Sequence, residues 1–510
     1  MTKTAYTPMT KRNEKVIVKN GFEKDADAVV ALVSPAAGAA AVDPILYWNE
    51  VALEANKISH TNGAKEQTGP TLSSRALAIV HLAMYDAYAG IIADTTNLPP
   101  YLPGLPMPAA GAAAEVAVAA AAHTTLLALF PTQKAFFDLE WARADLNFAG
   151  YNEGRMFGAE VARRMLDDRK TDPGAGDAGY VPSLARGAHR PDPGDPGQGF
   201  HAPFYGAQAK LFAATSRFGL DAPPTLNSAE FETALKEVQG KGIAPELMGT
   251  LPADIEGRTA EETLIGVYWA YDGASGLGTP PRLYNQIVRA IAIRKGNSVA
   301  ENARLFALVN VAMSDAGILA WQEKYKYDLW RPVVGIREFD ASMGPLGDAG
   351  NPISNLDDPN WLPLGAPKSN ELLRNFTPSF PAYPSGHATF GAAALHITRL
   401  FYGNTGNATD TLLDGIGIVS DELNGVNKDN KGTVRPRHVR KFSGGLWQMI
   451  EENGRSRVYL GVHWVFDAFA VDADGNMDLT RNIGGVPLGL KIAEDIFNCG
   501  RANGLKKSNA

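Results

Sequence analysis

The 510-residue chain is 45% apolar and 20% charged, a composition that supports a sizeable packed core. Its formal net charge of -7 excludes a general attraction to nucleic-acid backbones or anionic membranes, so any anion site must be a local concentration of positive charge. One cysteine, Cys499, excludes an intrachain disulfide framework and any cysteine-based zinc cluster.

Residues 1–42 read as a leader without a clear period, and charged residues interrupt every apolar run, so no signal peptide is expected. Helical spacing dominates from Asp43 onward. In TLSSRALAIVHLAMYDAYAG (71–90), Leu72, Ala76, Ile79, Ala83 and Ala87 recur at three- and four-residue intervals, and Gly90 closes the run. Similar patterns predict helices over 111–130, 132–148, 151–168, 228–240, 260–271, 282–294, 299–323, 386–402, 411–424 and 439–455. The window 109–130 is the most membrane-like, but it is mostly alanine and carries Glu115 and His123; a buried helix is predicted there, and no membrane span anywhere. Two long segments lack a helical period. The first, 170–206, is rich in Pro and Gly yet ends in FHAPFYG, and those aromatics predict a packed loop rather than a flexible linker. The second is 337–384. With no run of alternating strands and hairpin turns, the prediction is an all-α protein, divided into helical bundles over 43–245 and 246–510.

Three stretches carry the chemistry. In WQEKYKYDLWRP (321–332), Lys324 and Arg331 are seven apart and would share one face of a helix; lying among Trp321, Tyr325, Tyr327 and Trp330 they are expected to be partly buried, and buried cations need an anionic partner. In FPAYPSGHATFGAAALH (380–396), Pro384 precedes a helix, Ser385 is a good N-cap, and Gly386 permits close approach to the backbone. Free N–H groups and the dipole make such a terminus receptive to an anion, with His387 beside it. In SRVYLGVHWVFD (456–467), Arg457 is followed by His463 and, four residues on, by Asp467, placed here on one helix; a neutral His463 can bond a metal centre while a neighbour sets its tautomer. Each piece alone has an ordinary structural explanation: a solvated charged stripe, a capping or core histidine, a core ion pair.

In this order and spacing the three pieces resemble the signature shared by vanadium-dependent haloperoxidases and the type-2 phosphatidic-acid-phosphatase superfamily. The resemblance to the vanadium chloroperoxidase type runs from about 43 to 500, through ILYWNEVALEANKISHT, GPTLSSRALAIVHLAMYDAY, HAPFYG, YWAYDG, GTPPRLYNQIVR, ARLFALVNVAMSDAGI, ELNGVN and IGGVPLGLKIAEDIFNCG. Many of these segments lie outside the oxyanion motif. Departures include KYKYDLWRP within the first motif and Ser379, where the fungal pattern has proline.

The resemblance implies two four-helix bundles packed into one body, with a vanadate site in the C-terminal bundle. His463 would be the protein ligand of vanadium; Lys324, Arg331, Arg457, the Ser385 hydroxyl and the Gly386 N–H would hold its oxygens. His387 would be the acid–base group and Lys324 would polarise the peroxide oxygen that a halide attacks. Asp272, in YWAYDG, would buttress an arginine of the site, and Asp467 would orient His463 or an arginine. Trp321 and Phe380 would line the halide pocket, where phenylalanine accompanies chloride oxidation. The implied partners are hydrogen peroxide, halide and small organic acceptors, with no haem, no nucleic acid and no membrane. Two other readings use the same cradle: a phosphomonoesterase with His463 as nucleophile and His387 as leaving-group acid, and an oxyanion carrier without turnover.

Overall fold

The structure is a computed structural model that describes residues 43–499 and 505–510; the expected leader, 1–42, lies outside them. The described helices are α1 (Pro44–Ser59), α2 (Gly69–Ile92), α3 (Ala114–Leu129), α4 (Lys134–Arg143), α5 (Tyr151–Asp168), α6 (Tyr205–Gln208), α7 (Ala229–Lys241), α8 (Ala260–Tyr268), α9 (Pro280–Lys295), α10 (Val299–Tyr327), α11 (Pro332–Arg337), α12 (Gly386–Phe401), α13 (Gly445–Tyr459) and α14 (Gly485–Cys499). Among the described residues, strands are confined to two short antiparallel ribbons, Ile418–Val419 with Val439–Arg440 and Ala470–Val471 with Met477–Asp478. The all-α reading holds.

The axis of the fold is α10, 29 residues long. It starts at a reciprocal cap: the Glu301 N–H donates to Ser298 Oγ at 3.3 Å, and the Ser298 N–H donates to Glu301 Oε2 at 2.7 Å. Beyond its first turn nearly every residue is buried, because α2 packs on one side of it and α12 on another. Midway, the Asp315 carboxylate accepts from the N–H groups of Phe212, Ala213 and Ala214 at 2.6, 2.8 and 2.7 Å, which ties an irregular segment to the central helix. Helix α12 in turn packs against α14. A Cβ on Gly485 or Gly489 would come within 2.5 Å of Ser385 O or Thr389 O, so glycine permits the backbone approach that buttresses the start of α12. Helices α2 and α10 reach the length and apolar composition of a membrane span, but 72% and 94% of the relevant windows are buried inside the protein. Most of the 109–130 stretch forms α3, whose apolar residues are also largely buried, with Leu127 half-buried and Ala128 exposed.

Two expected helices take other forms. Residues 411–424 run through a turn, the first strand and a 3-10 turn at Asp421–Leu423. Gly415 and Gly425 sit at φ 73° and 79°, conformations a helix cannot accommodate, and Leu412, Leu413, Ile416 and Ile418 reach the core from this irregular path. The expected 439–455 helix begins only at Gly445, because Val439 and Arg440 pair as a strand with Ile418 and Val419.

Candidate oxyanion site

Lys324 and Arg331 do converge, but not along one helix face as their spacing predicts. Helix α10 stops at Tyr327 because Asp328 adopts a left-handed conformation, φ 47°, with its N–H bonded to Lys324 O at 2.8 Å. Leu329 then bridges to Ala188, and Arg331 re-enters as the extended N-cap residue of α11, with Pro332 in the first helical position. Both cations are fully buried. Lys324 Nζ donates to Pro381 O and Ala382 O at 2.8 and 3.0 Å. Arg331 donates through Nε to Phe380 O at 2.8 Å and through Nη1 to Val462 O and His463 Nε2 at 2.8 and 2.9 Å.

Ser385 caps α12, its hydroxyl accepting from the Ala388 N–H at 3.4 Å while its own N–H donates to Asp467 O at 2.7 Å. In the first turn, His387 Nε2 lies 2.6 Å from Ala270 O, so that nitrogen carries the proton and Nδ1 keeps the lone pair. The His387 carbonyl is held by Tyr284 and Asn453 at 3.1 and 2.8 Å. Burial, then the nearby Arg457, pushes the His387 imidazole down to about 4.

His463 and Asp467 are likewise not on one α-helix. Helix α13 ends at Tyr459, and Asp467 closes a 3-10 turn, Val465–Asp467. The pairing nevertheless forms: His463 Nδ1 donates to Asp467 Oδ2 at 2.8 Å, which leaves the Nε2 lone pair facing Arg331. Burial lowers the His463 imidazole well below its usual range, so the ring is neutral. Burial also pushes the Asp467 carboxyl up to about 7, against the pull of Lys324 and Arg331. Asp272 accepts both of its bonds from Arg457 Nη2, at 2.8 and 3.0 Å.

Three buried cations, Lys324, Arg331 and Arg457, thus face two carboxylates, and their hydrogen-bonding capacity is not spent. Arg331 Nη2 and Arg457 Nε and Nη1 are buried with no partner among the described residues. Buried guanidinium donors left over in this way suit an anion with several acceptor oxygens. Arg457 borders a cavity of about 160 Å³ whose walls also include Asp272, Trp321, Phe380, Gly386, His387 and His463, the last bonded to Arg331. Trp321 and Phe380 pack with ring centroids 4.7 Å apart, and Lys324 Nζ lies 5.0 Å from the Phe380 centroid. Every site residue read from the sequence therefore belongs to one connected cluster. Gly69, Pro70 and His201, from the N-terminal half, complete the cavity. His201 carries a signal the motifs did not use: it opens HAPFYG at the end of the Pro/Gly-rich segment.

Residues 40–198 match the family described as the vanadium chloroperoxidase N-terminal domain, and 304–484 match the VCPO second helical-bundle domain. The vanadium chloroperoxidase of Curvularia inaequalis is 38% identical, across 91% of this chain and 90% of the relative. The chain belongs to the vanadium haloperoxidase family. In fold it is similar to a bacterial vanadium-dependent iodoperoxidase, with TM-score 0.62, 19% identity, and coverage of 89% of this chain and 96% of that one. It is also similar to a bacterial vanadium-dependent chloroperoxidase in its holo form, with TM-score 0.53, 15% identity, and coverage of 84% and 91%. Membership of this haloperoxidase family brings vanadate as cofactor, and hydrogen peroxide and a halide as substrates. The donors present fit that cofactor: orphaned guanidinium nitrogens for anionic oxygens, and one neutral imidazole lone pair for the metal.

Proposed function

We propose that this haloperoxidase oxidises both chloride and bromide with hydrogen peroxide, releasing hypohalous acid that halogenates small organic acceptors. The observation that carries the site assignment is the set of three partnerless guanidinium nitrogens beside His463 Nε2, whose lone pair is held toward Arg331 Nη1 in the anion-free protein. In this reading His463 Nε2 ligates vanadium, and Lys324, Arg331, Arg457, the Ser385 hydroxyl and the Gly386 N–H hold the oxygens. Bound vanadate supplies a Lewis acid that activates peroxide without changing its own oxidation state.

The chain's residues do the rest. His387, neutral and with Nδ1 free, takes a proton as peroxide enters and returns it to the departing oxygen. Lys324, fixed by two carbonyls, presents its remaining donor capacity to the reacting oxygen. Asp272 and Asp467 orient Arg457 and His463 through the bonds described above. Trp321 and Phe380 present an apolar wall, which strips water from the halide. The chloride reading is supported by Phe380 and by the 38%-identical chloroperoxidase. We also read the body as two bundles divided at 245/246, the second supplying the polar groups of the site.

Halogenation of monochlorodimedone, with peroxide, before and after orthovanadate is added, tests the proposal. Vanadate-dependent turnover in chloride and in bromide is expected. Turnover in bromide or iodide alone overturns the chloride assignment. Phosphomonoester hydrolysis that vanadate inhibits, without halogenation, overturns the whole reading.

A further inference from the structure

The cavity wall opposite the oxyanion cradle contains a polar group with no assigned role. His201 lies edge-on to Trp321, ring centroids 5.9 Å apart, and 6.0 Å from the Phe380 ring. It is fixed on every side. Its N–H donates to Ser379 O at 2.8 Å, and its carbonyl accepts from Trp321 Nε1 and the Tyr325 hydroxyl at 3.2 and 2.8 Å. The next residue, Ala202, is held at φ 57°, a strained conformation for alanine. Gly69 makes the space for the ring: a Cβ there would come 2.3 Å from His201 Cε1.

The tautomer follows from hydrogen-bond satisfaction. The buried Thr71 hydroxyl has one partner among the described residues, His201 Nε2 at 3.0 Å. A buried hydroxyl places its proton on an available acceptor, so Thr71 donates to Nε2 and the ring proton sits on Nδ1. Nδ1 has no bond to any described residue, and the ring lines the cavity. Burial, then the neighbouring His60, pushes this imidazole down to about 4, so it is neutral at working pH.

We infer that His201 is a halide-selecting residue of this haloperoxidase, its Nδ1–H donating a hydrogen bond to the halide held against Trp321 and Phe380. The inference rests on the function proposed above. A neutral donor rewards the halide that most needs replacement of its hydration, so it favours chloride over bromide and bromide over iodide. An all-apolar wall would do the reverse.

The test compares wild type, His201→Phe and His201→Asn, all loaded with vanadate, in steady-state halogenation at saturating peroxide with chloride, bromide and iodide. Direct vanadate titration and circular dichroism accompany each protein. Losing the donor should raise KM for chloride about tenfold, the effect of one hydrogen bond to a charged partner. KM for iodide should rise less than about threefold on the same scale. Turnover number and vanadate affinity should stay close to wild type. The asparagine variant, whose amide can reach the Nδ1 position, should recover part of the chloride affinity. Equal KM changes for all three halides, or unchanged KM with lost turnover, overturn the inference while leaving the haloperoxidase reading intact. Absence of vanadate-dependent halogenation in wild type overturns both.

Discussion

Arg457→Lys isolates the contribution of guanidinium shape to anion binding. Lysine keeps the charge but has one nitrogen, whereas Arg457 uses Nη2 for Asp272 and leaves Nε and Nη1 as orphan donors. A lysine ammonium carries its three N–H donors on one nitrogen, so while it holds Asp272 it cannot also span the separate positions of Nε and Nη1. Taking two charge-assisted bonds at the lower end of their range, about 1.5 kcal/mol each, the loss is about 3 kcal/mol. That corresponds to orthovanadate binding weakened about 150-fold, at 1.4 kcal/mol per decade. Calorimetric titration with orthovanadate measures it, with circular dichroism to show that the fold is retained. A dissociation constant within about fivefold of wild type would refute the assignment of those two nitrogens to the anion.

Other expectations follow from the same contacts. Asp315→Ala leaves three backbone N–H groups without their acceptor, which should cost at least about 3 kcal/mol; it should lower the thermal midpoint and speed amide exchange at Phe212, Ala213 and Ala214. Gly386→Ala places a Cβ 3.3 Å from the Trp321 ring; vanadate affinity and turnover should fall together in titration and halogenation assays, with little change in thermal midpoint. Burial, then Arg331, holds the Lys324 ammonium well below its ordinary range in the anion-free protein, and a bound anion restores it. Anion binding must therefore take up protons between the lower and the restored value, so affinity falls as pH rises through that window. Sulfate titrations in buffers of different ionisation enthalpy should show this uptake in wild type and lose it in Lys324→Gln.

How much of this was legible in the sequence differs between fold and site. The long helices were, because α2 shows apolar residues at three- and four-residue spacing and α10 and α12 open on the serine caps Ser298 and Ser385. The residues that cluster in the candidate site were legible by type and order, but the spacing predicted the wrong local geometry for two of the pairs. Lys324 and Arg331 meet because Asp328 breaks the helix, and His463 meets Asp467 across a 3-10 turn; sequence spacing alone cannot distinguish these routes from a continuous helix. The 411–424 segment shows the same limit, since its apolar residues are buried without helical order. His201 was passed over because its value is non-local: it depends on Gly69, Thr71 and Trp321, which lie more than a hundred residues away. The Asp272–Arg457 pair spans 185 residues and was placed only through family resemblance.

We propose that one buried cradle binds one tetrahedral oxyanion, with His463 as the ligand that favours vanadium. Equilibrium dialysis of wild type and His463→Ala against orthovanadate, with and without inorganic phosphate, tests it most directly. One vanadate per wild-type chain is expected, displaced by phosphate, and a variant that binds vanadate no more tightly than phosphate. Non-saturable binding, binding indifferent to phosphate, or a variant that keeps full preference for vanadate would contradict it.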